Sequence, residues 1–595
     1  MPDQGSPAQE ITESAQWEIG ATQDSYDVVI LGGGLAGLTL GLQLKQRRPD
    51  TAIMIAEKRE GPAPEAAFKV GESTVELSAH YFANVIGMED HMKDAQNPKA
   101  GLRFFFPAGD NGDIARRVEW GSPRWPVVPA YQLDRGRFEN ELGRRNKRLG
   151  NDLLAGCRVE GVQLGDPGDR HRVTLSQLGS SFEVSATWVV DATGRASTLK
   201  KQLGLAKGNG HHVNSSWFRL DGGIDIEDWS DDEKWLGRMA ERGLRKFSTN
   251  HLMGEGYWVW LIPLASGPIS LGIVADPRFH PWEELNTLDG AIDWLHRHEP
   301  QLGNEVDSRR DQIEDFLRVE DFSYGCERVF SPDRWCLTGE AGAFLDPLYS
   351  PGSDYIALSN TYVTDAVCRD LDGDDVGERI ERYNAQYFRQ FEVSRAYYLD
   401  QYHLFGDAQV MCVKLLWDYA FYWSFPALWF YHDKWTDLEF LQQADGEYER
   451  AIQLNTRMQQ LFQQWHELDG REWCNSFVTL FPWLAQVSDE LDDELDDEQL
   501  LAKAKRDLEA LEGFVVTTFE KAGRLLEEGG LDRKATVDPY AVSLDRDRWE
   551  EDGLLKDTGI AARDARKPVK GLQFAWLDEF GGETGSANPA KQVDA

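Results

Sequence analysis

The stretch Tyr26-Asp-Val-Val-Ile-Leu-Gly-Gly-Gly-Leu-Ala-Gly37 decides the fold. A short apolar run of strand type ends directly in glycines, and Leu38, Leu40, Leu42 and Leu44 continue it as a helix. A second strand, Ala52-Ile-Met-Ile-Ala56, ends at Glu57 and completes a βαβ unit. Gly32, Gly34 and Gly37, with Leu35 and Ala36 between them, fit GxGxxG. Glycines permit the tight turn and let backbone amides approach a pyrophosphate at a helix N-terminus, where the helix dipole favours negative charge. Glu57 stands where a ribose hydroxyl needs an acceptor. The order strand, glycines, helix, strand, acid predicts a dinucleotide site on an α/β, Rossmann-like layer.

Composition bounds the rest. In 595 residues, 63 Lys and Arg face 101 Asp and Glu, a net charge of −38, which argues against nucleic acid as a partner. An apolar fraction of 41% with 21 Trp excludes a wholly disordered or fibrous chain. The six cysteines lie far apart without a CxxC pair, so a reducing cytoplasm is the simpler compartment. No Lys or Arg precedes Lys45, so no signal-peptide n-region is read. Lys414, Asp418 and Pro426 interrupt the apolar stretch from Met411 to His432, which argues against a membrane span.

Residues 1–24 read as a loose leader and 581–595 as a flexible tail. Between them the pattern predicts a dinucleotide domain over 25–365, with an inserted mixed β region at about 205–325, and a helical lobe over 366–580. The run Ser488–Glu498, eight acids in eleven residues, reads as a solvated loop or helix start. His211-His212 and His296-Arg-His298 lack metal spacing and are placed on surfaces; no metal is expected. The aromatic block 415–431 reads as packing for the helical lobe, or as the lining of a tunnel or lid for a large, apolar, electron-rich substrate; membrane-surface association is a third reading that the acidic charge opposes.

Three further segments narrow the cofactor. Trp188-Val-Val-Asp-Ala-Thr-Gly-Arg195 and Cys336-Leu-Thr-Gly-Glu-Ala-Gly-Ala343 are strands running into small-residue turns. Gln132 and Arg135 open a predicted helix. In this order the segments resemble the FAD-binding fold of the aromatic-hydroxylase type. The resemblance implies FAD, with Gln132 and Arg135 reaching its phosphates, Asp191 and Gly194 on one turn, and Gly339 and Glu340 on another, Glu340 near the ribityl chain.

Tyr257-Trp258-Val-Trp260-Leu-Ile-Pro263 matches WxWxIP, and Phe344-Leu-Asp-Pro347-Leu-Tyr-Ser350-Pro351-Gly352 matches FxxPxxSxG. Lys69-Val-Gly71-Glu72-Ser73-Thr74 carries a GES segment. Together they resemble the flavin-dependent halogenases, nearer the phenol- and pyrrole-type branch. The tryptophan-specific branch has a lysine where this chain has His80 and a glutamate where it has Tyr349. The K-x-G-x-x-F pattern of the other branch is met by Lys99-Ala-Gly-Leu-Arg-Phe104.

The resemblance implies a halogenase of secondary metabolism that uses FADH2, O2 and halide. A flavin C4a-hydroperoxide would oxidise halide to hypohalous acid, which an active-site lysine, Lys99, passes to an electron-rich aromatic. Trp258 and Trp260 would wall off the flavin, Glu72 would belong to the catalytic segment, and Pro347, Ser350, Pro351 and Gly352 would bind halide. Expected partners are the aromatic substrate, free or tethered to a carrier protein, and a separate NAD(P)H flavin reductase. Two alternatives stay open: an FAD monooxygenase that hydroxylates on the same scaffold, and a non-catalytic flavoprotein that binds a protein partner.

Overall fold

A computed structural model describes residues 21–64, 71–468, 473–525 and 537–545. The leader up to residue 20, Lys69 and the tail 581–595 lie outside the described residues.

The predicted strand Ser25–Leu31 is central to the first sheet. It pairs in parallel with Ile53–Glu57 on one side and with Ser180–Asp191 on the other. Asp152–Ala155 and Trp335–Leu337 extend the parallel core, and Phe330–Ser331 closes one edge antiparallel. Val28, Val29, Ile30 and Leu31 are fully buried, as expected of a parallel strand covered on both faces. Helices Leu35–Arg47 and Gly352–Asp372 pack against each other over this layer. Among the helix-facing contacts, Asn360 Nδ2 donates to Ala36 O (3.1 Å) and Thr39 Oγ1 (3.0 Å).

The second sheet runs in the order Leu317–Val319, Asn214–Leu220, Ile269–Ala275, Tyr257–Pro263, Thr249–Gly254, Leu102–Phe106, Val118–Trp120, Phe477–Val478. The β region is therefore not confined to 205–325. It recruits two strands from before that range and one from far downstream, each by pairing that local patterning does not register. The boundary expected at 365/366 also moves, because it falls inside the helix Gly352–Asp372, which packs on the dinucleotide layer.

Downstream of residue 376 the chain is mostly helical, as the sequence implies. The aromatic block forms the helix Ala408–Tyr422, a π-turn Trp423–Ala427 and a last turn Leu428–Tyr431. The π-turn accommodates Pro426, which has no N–H for a regular helical bond. No helix among the described residues is long and apolar enough to cross a membrane. The acidic run ends the helix Pro482–Asp489 and opens Asp497–Leu525, with acids at the helix start where the dipole favours them.

Candidate active site

A cleft of about 690 Å³ opens at the carboxyl ends of the parallel strands. Gly32 (φ 109°) turns the chain there, and a Cβ on it would lie 2.4 Å from Ala192 O. A Cβ on Gly37 would lie 2.0 Å from Gly32 O, so the helix starts hard against the turn. Glu57 Oε2 accepts the Gly33 N–H (2.8 Å) and Oε1 accepts the Arg59 N–H (2.8 Å), which fixes the acid on the cleft wall. Gly32, Gly34, Leu35, Ala36, Gly194, Gly339, Glu340 and Arg135 also line the cleft. A cradle that only glycine fits, a helix N-terminus and a positioned carboxylate suit the pyrophosphate and ribose of FAD.

Two expected cofactor contacts are corrected by the structure. Gln132 is fully buried behind the cleft wall, where its amide donates to Thr249 Oγ1 (3.0 Å) and accepts from the same hydroxyl (3.1 Å). Asp191 is also fully buried; its carboxylate accepts from Thr193 N (2.9 Å) and Leu199 N (2.7 Å). It shapes the turn whose backbone lines the cleft rather than lining it. Glu72 does line the cleft, but its carboxylate is held by Arg219 Nη2 at 2.7 Å, which anchors the 71–74 turn.

Trp258 and Trp260 project from Tyr257–Pro263 into the cleft, ring centroids 5.7 Å apart. Both indole N–H groups are tied, Trp260 to Ser270 Oγ (3.2 Å) and Trp258 to Tyr402 Oη (3.0 Å). Tyr402 in turn donates to Asp346, which also accepts from His211 Nε2 (2.9 Å). His211 is therefore buried, not on a surface as expected, and ties the first tryptophan to the 344–352 segment. Gly272 lies directly across from Trp260, and a Cβ there would lie 2.2 Å from its ring. Gly272→Ala is expected to displace that indole and cost about 1–3 kcal/mol, read as a lower Tm and a changed near-UV circular dichroism.

In the 347–352 turn the amides are partly spent. Ser350 N donates to Pro347 O (2.9 Å), Leu348 N donates to Asp346 Oδ1 (3.0 Å), and Pro351 has no N–H. Ser350 is held in the left-handed region (φ 58°). Gly352 and Ser353 line the cleft and open a 21-residue helix whose N-terminus no side chain caps. A helix start of this kind favours an anion.

Lys99 is buried, 2% exposed, and donates to Ser73 Oγ (2.8 Å) and Thr74 O (2.6 Å). Burial drives its amine down to about 7, against the pull of Glu76 and Asp354. Ser73 lines the cleft, while Val75 lines a second, smaller cavity, so Lys99 binds the segment that separates the two. Pro351 and Tyr355 line both. Beside Lys99, His251 stacks on Phe104 (4.5 Å); burial holds its ring down to about 3, a neutral imidazole.

The second cavity is apolar and walled by tyrosines, with about 80 Å³ free. That is less than the roughly 150 Å³ that takes up benzene, so a single ring would fit only if wall side chains turned. Tyr419, Tyr422 and Pro426 of the aromatic block line it, so the block both packs the lobe and bounds a cavity. Two carboxylates face it, Asp354 and Asp418, neither anticipated from the sequence. Asp354 follows Gly352 of the FxxPxxSxG segment by two residues. Asp418 pairs with the buried Lys414 (2.8 Å) and accepts from Tyr349 Oη (2.8 Å). His80 lies against Tyr431 (ring centroids 4.1 Å). Among the described residues no group of His, Cys, Asp and Glu is placed to hold a metal.

Residues 25–267 match the family model described as an FAD binding domain. The chain is 27% identical over 429 residues to the flavin-dependent halogenase chlA of Dictyostelium discoideum, covering 67% of this chain and 70% of that one. It is 28% identical over 358 residues to a 1H-pyrrole-2-carbonyl-(peptidyl-carrier protein) brominase of Pseudoalteromonas luteoviolacea, covering 59% and 79%. The crystal structure of halogenase PltM superposes with a TM-score of 0.61 over 81% of this chain and 96% of that one; at 18% identity this speaks for the fold alone.

Proposed function

We propose that the chain, which carries an FAD binding domain and is similar to flavin-dependent halogenases, halogenates a small, electron-rich aromatic of phenolic or pyrrolic type, with Lys99 as the group that passes the halogen. One observation carries this reading: the Lys99 amine bonds Ser73 and Thr74, in the segment whose Ser73 lines the FAD cleft and whose Val75 lines the tyrosine-walled cavity. Reduced FAD, when bound, supplies the reaction with O2 that oxidises halide to hypohalous acid. The N–H groups of Gly352 and Ser353 hold the halide at a helix N-terminus. Trp258 and Trp260 keep the organic substrate off the cleft. Lys99, with its amine near neutrality, exchanges a proton with hypohalous acid and orients the halogen toward the second cavity.

In this reading a separate NAD(P)H flavin reductase delivers FADH2. The six cysteines are free thiols, five of them buried, which suits a reducing cytoplasm. The test needs no organic substrate. Protein loaded with FADH2 is mixed with O2 in a stopped-flow spectrometer, with and without bromide. A flavin reoxidation course that bromide alters supports the reading; a course indifferent to bromide and chloride overturns it in favour of hydroxylation.

A further inference from the structure

The tyrosine-walled cavity carries one carboxylate that is not ion-paired within its own walls. Of the two carboxylates facing it, Asp418 is ion-paired with the buried Lys414, on the oxygen that also accepts from Tyr349, and Gln459 (2.8 Å) donates to the other oxygen. Asp354 accepts one bond on each oxygen, from Ser78 N (3.0 Å) and from Tyr422 Oη (2.9 Å), so each keeps a second lone pair. It is nine-tenths buried and opens the helix Gly352–Asp372. Charged groups near it are Glu76 and Lys99. Around it the wall is aromatic and aliphatic, with Leu358, Val75 and Pro426.

We propose that Asp354, steadied by Tyr422, is the receptor for the hydroxyl of a single-ring phenol. The inference rests on the halogenase reading and adds the group that selects the substrate. In the step, the phenolic O–H bond breaks and its proton goes to the Asp354 carboxylate, while the electron pair stays on the phenol oxygen and enriches the ring. A ring carbon then takes the halogen from hypohalous acid. The ring C–H proton leaves with the hydroxide as water, and Asp354 returns its proton to the phenol oxygen. The sum is phenol plus hypohalous acid to halophenol plus water. Burial, opposed by the bonds from Ser78 and Tyr422, lifts the Asp354 carboxyl to about 7, which matches it to a proton it must both take and return.

The test is equilibrium binding of two probes, 4-chlorophenol and 4-chloroanisole, to the FAD-loaded protein by titration calorimetry. A charge-assisted hydrogen bond predicts at least roughly tenfold tighter binding of the phenol. Asp354→Asn is expected to erase that preference without releasing FAD, and Tyr422→Phe to keep it. Equal affinity of the wild-type protein for both probes overturns the proposal, as does an unchanged preference in Asp354→Asn. The wild-type comparison needs no variant to fold. Failure of the halogenase reading shows separately, as flavin reoxidation indifferent to halide in a protein that still prefers the phenol.

Discussion

Lys99→Met is expected to lower halogenation by about 10³-fold, within the range of a positioned proton-transfer group, and to raise the melting temperature at the same time. The side chain is buried with its amine bonded to Ser73 and Thr74, and methionine keeps most of the volume. The stability sign follows from the lowered amine. Between about 7 and 10.5 the unfolded chain holds a proton that the folded chain lacks. Stability therefore rises with pH across that window, and below about 7 the folded state carries a full penalty on the order of 5 kcal/mol. Methionine removes that penalty but takes one donor from Thr74 O and from Ser73 Oγ, which keeps the Thr249 hydroxyl at 2.9 Å, so the net gain is smaller. The Tm difference between variant and wild type should be largest below pH 7 and shrink toward pH 10. FAD retention and bromide-sensitive reoxidation should persist. A variant that halogenates at the wild-type rate removes Lys99 from the mechanism; one that is less stable at every pH shows that the lysine is a structural tie.

What the sequence disclosed is what short-range chemistry determines. The glycine turn and Glu57 were legible because strand, turn, helix and acid lie within one βαβ unit, and Gly32, Gly33 and Gly37 each answer a contact under 3 Å. Trp258 and Trp260 were legible because a strand's period of two puts both on one face. Gln132 was misread because a two-residue strand carries too little pattern to show which way it faces, and it faces Thr249. Asp191 was misread because an acid at a strand end looks alike whether it meets a ligand or closes its own turn. The β region was drawn too small because Leu102–Phe106 pairs with Thr249–Gly254 and Val118–Trp120 with Phe477–Val478, partners that sequence distance hides. Asp354 and Asp418 gain their meaning from a cavity assembled by several segments distant in sequence, which no single window displays.

Glu119→Ala is expected to produce the largest loss of stability. Glu119 sits on Val118–Trp120, fully buried, and accepts from Arg103 Nη1 (2.7 Å), from Arg245 Nε (2.8 Å) and Nη2 (3.0 Å), and from Arg238 Nη1 (3.4 Å). Arg103 and Arg245 are themselves fully buried. Removing one partner of a buried pair costs about 3–5 kcal/mol because the other charge is left uncompensated, and here two buried guanidiniums are left. Arg245 keeps Glu227 at 3.3 Å, which limits the loss on that side. Burial pushes the Glu119 carboxyl up, and the guanidiniums of Arg103, Arg245 and Arg238 outweigh it, leaving it below the ordinary value. Its contribution is therefore present above the ordinary carboxylate range and is lost as pH falls through the lowered value, so wild type and variant should converge in acid. Arg103 also lies on the strand that follows Lys99, and its carbonyl meets His251 Nδ1 at 3.0 Å. A chain that folds at low temperature with this charge removed should thus retain FAD yet halogenate poorly, because the segment carrying Lys99 has lost its anchor. Thermal unfolding at pH 7 tests the first part. A drop in Tm no larger than that of an exposed-pair variant such as Glu89→Ala, whose carboxylate meets Lys93 at the surface, would show that the arginines find other partners.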